Sequence, residues 1–321
     1  MGAAMKLVTG KNELIERLHE AITQVESVVL GKSHAVRLAF ACLIAGGHLL
    51  LDDLPGMGKT TLARAMAATL GLNFQRVQFT SDLMPADIVG MNVLETNAVH
   101  ATGFRFHPGP VFTNLLLADE INRASPRTQS ALLEAMAEGQ VTVDGQTHIL
   151  PDPFFVIATQ NPVDMAGTYP LPDSQLDRFL FRIALGYPDT ETELKLLSGT
   201  GRREQIATMT TRLLHDQVMA LRSRAQAVRI EHPAIQYIQA LMRESRVHKG
   251  VMVGLSPRAG IALVSASKAW ALIDGRDYVL PDDVQILFAP LAAHRIVPEL
   301  ESGSAWRQEV VRGIVAAVDV P

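Results

Sequence analysis

The chain has 321 residues, 48% hydrophobic and 19% charged, enough for one large domain or two and too apolar for a disordered chain. Twenty-nine Lys and Arg against 33 Asp and Glu leave a net charge of -4, so there is no global basic field to hold nucleic acid or an anionic membrane. One cysteine, Cys42 within an apolar run, excludes a disulfide framework and a Cys-built zinc site and reads as a small buried hydrophobe in a reducing compartment.

No stretch reaches the roughly 18 consecutive apolar residues of a membrane span; the longest candidate, 38–51, is broken by Gly46, Gly47 and His48. The opening MGAAMKLVTGKNELIERL has no apolar core followed by a small-residue cleavage site. Together these features lead us to expect a cytoplasmic protein.

In chain order, Leu14, Leu18, Ile22, Val25 and Val29 recur at helical spacing and predict an amphipathic helix. Ser33 is placed to cap a second helix, which runs to about Ala45 and stops at Gly46 and Gly47. Residues 48–52 read as a short strand, 61–70 as a helix and 74–80 as an alternating strand. The apolar runs 114–118, 154–159 and 179–185 suit strands buried on both faces. Helices are expected between them, over 125–138 behind the Ser125-Pro126 pair and over 173–178. This alternation predicts a parallel sheet flanked by helices.

After Tyr187-Pro188-Asp189 the pattern turns helical, opening with the capping-box spacing Thr190-x-x-Glu193. It continues near 211–226, 233–246, 257–273, 281–293 and 304–318. A boundary near 189 is expected, dividing an α/β domain over 1–189 from an all-α domain over 190–321.

Chemistry concentrates in Asp53-Leu54-Pro55-Gly56-Met57-Gly58-Lys59-Thr60-Thr61, between a strand and a helix. Backbone N–H groups at the helix start can cradle phosphates, Lys59 can reach the β and γ phosphates, and the Thr60 hydroxyl can hold magnesium. Gly-x-Gly-Lys-[Ser/Thr] should arise by chance in roughly one chain in a hundred of this length. Asp53 stands where the general P-loop pattern has its first glycine.

Asp119 and Glu120 end the run Leu115-Leu116-Leu117-Ala118. Asp119 would hold the magnesium, directly or through water, and Glu120 would orient and deprotonate the attacking water. At the end of the next strand, Asn161 can reach the γ phosphate, since strand C-termini gather at one edge of a parallel sheet; an Asn-Pro turn is its alternative reading. Arg178, and Arg258 one turn into a helix capped by Ser256, could each offer positive charge to the transferring phosphoryl group, or serve as ordinary surface or ion-paired arginines. His100, His107 and His148 fit no metal-ligand spacing.

These elements, in this order, resemble an AAA+ ATPase and specifically the MoxR family, which implies a P-loop core with a C-terminal helical lid. Gly46-Gly47-His48-Leu49-Leu50-Leu51-Asp52-Asp53-Leu54-Pro55-Gly56 is similar to the MoxR P-loop, where an acid commonly stands in the place of Asp53. Ala118 to Ala124 followed by Thr128 to Met136 is close to that family's Walker B stretch and next helix. The resemblance implies ATP and Mg2+ as ligands, and an adenine pocket at Val28, Val29, Leu30 and Gly31. It makes Asn161 sensor 1, Arg178 the arginine finger and Arg258 sensor 2, with Arg123 and Arg127 as alternatives for the finger.

A finger completes a neighbour's site, so a homo-oligomer, a hexamer, is implied. Residues 89–106, with a turn expected at Glu95-Thr96-Asn97, resemble the helix 2 insert of the MoxR, chelatase and MCM branch. The segment 139–150 is a hairpin by its own chemistry, with Asp144-Gly145 favouring a type I′ turn. MoxR relatives are implied to act on protein clients, often ones with von Willebrand factor A domains. The competing readings are a magnesium chelatase motor subunit, a nucleic-acid motor disfavoured by the net charge, and a nucleotide-binding module without turnover.

Overall fold

The run preceding the glycine loop becomes the middle of a sheet. In the computed structural model, which describes residues 2–97, 100–163, 167–198, 202–299 and 304–321, α1 (Gly2–Val28) and α2 (Ser33–Ile44) lead into β1 (Leu49–Asp52). There follow α3 (Lys59–Thr69), β2 (Phe74–Gln78), α4 (Pro85–Val89), the hairpin β3 (Gly90–Asn97) and β4 (His100–Pro108), and β5 (Leu115–Asp119). Next come α5 (Pro126–Glu138), the hairpin β6 (Gln140–Val143) and β7 (Gln146–Ile149), β8 (Phe155–Gln160), α6 (Asp173–Leu176) and β9 (Phe181–Ile183).

Five strands pair in parallel in the order β2-β5-β8-β1-β9. Strand side chains alternate between faces, and the two faces have separate cores. Leu49, Leu51, Leu115, Leu117, Phe155 and Ile157 pack with α1, α2, α3 and the later helices. Leu50, Leu116, Ala118, Val156 and Ala158 pack with α4 and α5. Continuous apolar strands are what burial on both faces demands.

The helical part holds α7 (Thr190–Ser198), α8 (Arg202–Ala207), α9 (His215–Ala227), α10 (His232–Val247), α11 (Pro257–Ile273), α12 (Pro281–Ala292) and α13 (Ser304–Ala316). A small antiparallel pair, β10 (Val251–Val253) and β11 (Val297–Pro298), joins them, an element too short to show as a period in the sequence. His294 and Arg295 fasten this part to the sheet. His294 donates from Nε2 to the Phe179 carbonyl at 3.0 Å, and Arg295 meets Asp177 Oδ1 at 2.7 Å while also donating to the carbonyls of Phe179 and Leu180. No helix among the described residues is long and apolar enough to cross a membrane.

Three expectations at element ends are corrected. Ser33 lies inside α2, with Lys32 at the cap position and no side-chain cap bond. Thr190 lies inside α7, because Asp189 Oδ1 accepts the Thr192 N–H at 2.7 Å; the carboxylate one residue earlier takes the cap. The segment Glu95-Thr96-Asn97 is strand, its pairing continuing to Asn97 opposite His100; the connection at 98–99 and the His100 side chain lie outside the described residues. By contrast, Ser125 and Ser256 do cap their helices, and Asp144 and Gly145 both adopt positive φ at the β6-β7 turn, as a type I′ turn requires.

His48 ties the sheet to α5. Its Nδ1 accepts the Val156 N–H and its Nε2 donates to the Met136 carbonyl, both at 3.1 Å, which fixes the neutral ring. Burial lowers its pKa from 6.5 to about 4. The unfolded chain therefore binds the proton more readily, and stability present above pH 6.5 is lost as pH falls toward 4. Urea unfolding should show a loss of about 2 kcal/mol between neutral pH and pH 5 from this group. His48→Gln should flatten that slope, and an equally steep slope in the variant would show that other groups carry it.

Candidate active site

The glycine loop begins where β1 ends. Gly56 and Gly58 adopt φ of +83° and +97°, and a Cβ placed on either would project into open space. Both positions therefore favour glycine on backbone grounds, and the space beside them stays free for a ligand. Gly58 is the N-cap of α3 and offers no side chain to its first N–H groups, so these remain available to an anion. Pro55, Gly56, Gly58, Lys59, Thr60 and Thr61 line one side of a cavity of ≈ 340 Å³, with Asp119, Glu120 and Asn161 on the other.

Lys59 Nζ donates to the Asp53 carbonyl at 2.6 Å. Burial pushes its ammonium below the ordinary lysine value, opposed by Asp53, Asp119, Asp52 and Glu120 in that order. Such a cation, held by carbonyls in a partly desolvated pocket, is prepared for phosphate oxygens. Asp119 ends β5, with Thr159 donating to its Oδ1 at 2.6 Å. Glu120 follows at φ 56°, a left-handed turn that aims it differently from its neighbour; its N–H donates to Thr159 Oγ1 at 2.9 Å. Asn161 Oδ1 accepts the Val163 N–H at 3.1 Å, so Asn161 forms a turn while it lines the cavity.

Thr60 and Asp119 present hard oxygen donors to this cavity, a donor set that fits Mg2+. The cluster thus unites Lys59, Thr60, Thr61, Asp119, Glu120 and Asn161. Other candidates lie elsewhere. Met57 turns into the hydrophobic core. Val29 is buried and Leu30 half-buried, beside the lid: a Cβ on Gly31 would meet Thr192 at 3.0 Å, and Lys32 reaches the Tyr187 carbonyl. Neither Val29 nor Leu30 lines the P-loop cavity.

Arg178 and Arg258 share a different pocket with Gly46, Gly47 and His48. These glycines and His48 precede β1, whereas the P-loop follows it, so the two pockets sit at opposite ends of a strand about 13 Å long. Arg178 donates to the Leu133 carbonyl at 2.9 Å, and Arg258 is exposed. Of the alternatives, Arg123 pairs with Glu120 at 2.9 Å and Arg127 is exposed on the first turn of α5.

Sequence reasoning missed Arg76 and Gln78, which line the P-loop cavity from β2, and Thr159, which bridges the acids. The usable signal was two polar residues at i and i+2 on a strand neighbouring the acidic strand end, but that neighbour becomes known only from the strand order.

Asp53 is also corrected. Its carboxylate faces away from the cavity and accepts the N–H groups of Leu54 at 2.8 Å, Leu185 at 2.6 Å and Gly186 at 2.7 Å. It is 7% exposed, so loss of the acceptor strands buried donors. Asp53→Gly, which restores the general P-loop pattern, should lower unfolding free energy by about 2–4 kcal/mol in chemical denaturation. A variant as stable as the parent would remove the tether.

Comparison with known proteins agrees with this geometry. The model described as ATPase family associated with various cellular activities (AAA) matches residues 48–181, and the AAA lid domain model matches 243–314. The protein YeaC of Bacillus subtilis (strain 168) is 44% identical over 313 residues, 97% of each chain. Chaperone MoxR1 of Mycobacterium tuberculosis is 37% identical over 292 residues, covering 88% of this chain and 76% of that one. A crystal structure from Cytophaga hutchinsonii ATCC 33406 superposes with a TM-score of 0.88 at 34% identity, covering 99% of both chains. A P-loop, paired acids at the adjacent strand end and relatives of this identity over nearly the full length together establish that the chain belongs to the MoxR family of AAA+ ATPases.

Proposed function

We propose that this ATPase works as a homo-oligomeric ring, a hexamer, in which each nucleotide site is built from two subunits, and that it remodels or matures protein clients. The observation that carries the ring is the separation of Arg178 and Arg258 from the P-loop cavity of the same chain. The arginines that do lie near the acids are engaged, Arg76 with Asp119 and Arg123 with Glu120. Head-to-tail packing would bring the Arg178 and Arg258 end of one subunit to the P-loop end of the next, a heterologous contact that closes into a ring.

In this reading Lys59 and the first N–H groups of α3 bind the β and γ phosphates. Thr60 and Asp119 would hold Mg2+, which would offset negative charge on the nucleotide's phosphates. Asn161 positions the attacking water and Glu120 accepts its proton as the new P–O bond forms and the bond to ADP breaks. Arg178 of the neighbour offsets charge on the transferring group as the finger, and Arg258 acts as sensor 2. The base would lie between the 28–31 loop and the lid, near Val29 and Leu30. The relative named Chaperone MoxR1 supports the client role, for which proteins with von Willebrand factor A domains are the class to try first.

Turnover per subunit should rise steeply with protein concentration, with Lys59→Ala as the blank. A finger in trans can contribute roughly 10³ to 10⁵ in rate, so dilute subunits should be nearly inactive; flat, nonzero turnover would mean each chain holds a complete site. Glu120→Gln should retain ATP binding and lose hydrolysis by at least about 10². Normal turnover in that variant would remove Glu120 from the role of base.

A further inference from the structure

Side chains from the edge strand take up both acids of the Asp119-Glu120 pair. β2 pairs with β5 in parallel, Arg76 opposite Leu117 and Gln78 opposite Asp119, so residues 76 and 78 rise on one face of the sheet beside the end of β5. Arg76 donates to Asp119 Oδ2 from Nη2 at 2.7 Å and from Nε at 3.1 Å. Thr159 already holds Oδ1, so both carboxylate oxygens of Asp119 are engaged. Arg76 Nη2 also reaches Gln78 Oε1 at 3.3 Å, and Gln78 Nε2 donates to Glu120 Oε2 at 2.9 Å.

The two ends of this ion pair differ. The Asp119 side chain is 12% exposed and fixed by Thr159, while Arg76 is 42% exposed. The carboxylate stays in place, and the long guanidinium side chain is the part free to leave.

We propose that Arg76 is a built-in competitor for the divalent cation at Asp119, so that metal loading requires its displacement. The inference rests on the reading of Asp119 as the metal ligand. A carboxylate oxygen that accepts two donors from a guanidinium cannot give the same lone pairs to a small cation, or to a water in that cation's octahedral shell. Two positive groups cannot share that oxygen without strong repulsion. Displacement of Arg76 also breaks its contact with Gln78, the amide that shares Glu120 Oε2 with Arg123, so metal arrival at Asp119 is transmitted through two hydrogen bonds to the hydrolytic base. Arg76 is therefore a positioning residue, and its effect should appear in metal affinity before any turnover.

The test is binding of a fluorescent ADP analogue to the full-length protein across a Mg2+ titration and in EDTA. Arg76→Ala should lower the Mg2+ concentration at half-maximal binding by about three- to tenfold, the range of one partly exposed charge-assisted pair. Affinity in EDTA should stay within about twofold, since Arg76 is not a phosphate ligand in this scheme. Arg76→Gln, which keeps a neutral donor, should shift the requirement in the same direction and serves if the alanine variant does not fold. An unchanged or raised Mg2+ requirement overturns the competition. A large loss of ADP affinity in EDTA also overturns it, by making Arg76 a direct phosphate contact. Asp119→Asn should raise the Mg2+ concentration at half-maximal binding, with Thr60 left as a ligand; an unchanged requirement there means that the metal-ligand reading of Asp119 fails along with the proposal.

Discussion

One buried carboxylate joins the nucleotide loop to the rest of the molecule. Asp53 ends the approach to the P-loop, yet its side chain accepts N–H groups from Leu54 and from Leu185 and Gly186 beyond β9. Leu185 and Gly186 directly precede the helical stretch that opens with α7. A charged acceptor with three N–H partners is both strong and directional, so the loop cannot shift without moving the segment that follows β9. A glycine, which would serve the turn equally well, offers no such link.

The sheet explains why Arg178 and Arg258 lie apart from the P-loop and the acids of the same chain. Parallel strands bring their C-termini to one edge, and Lys59, Asp119, Glu120 and Asn161 meet there because β1, β5 and β8 are neighbours. Arg178 and Arg258 lie beside residues that precede β1. No rotamer can carry an arginine across the length of a packed strand, so their separation is a property of the topology. The lid reinforces it: His294 and Arg295 bind the carbonyls that follow Arg178 and fix that segment at the far end.

The acids themselves are organised by neighbours rather than by their own sequence. Thr159 on β8 bridges Asp119 to the Glu120 backbone, and β2 supplies Arg76 and Gln78 to the two carboxylates. Left-handed φ at Glu120 turns two adjacent acids toward different partners. A tandem of acids thereby acquires two environments, the condition for two roles.

The sequence alone determined the parts whose signal is local. Gly56, Gly58, Lys59 and Thr60 declare a phosphate loop because backbone geometry and helix-start chemistry act within a few residues, and apolar runs ending in Asp119 or Asn161 declare buried strands by the same local logic. Helix spans in the lid followed from their periodicity, and the Asp144-Gly145 hairpin from its turn chemistry. Tertiary structure decided whatever depended on which strand lies beside which. Arg76 in an alternating strand looks like a solvent-facing residue until β2 is paired with β5. Asp53 looks like part of the phosphate cradle until Leu185 and Gly186 arrive with their N–H groups, and Arg178 and Arg258 look like part of the same site until the sheet separates them. Those placements arise from contacts between residues far apart in the chain, and the energy that selects them, burial on two faces and the pairing of buried charges, exists only once the chain has folded.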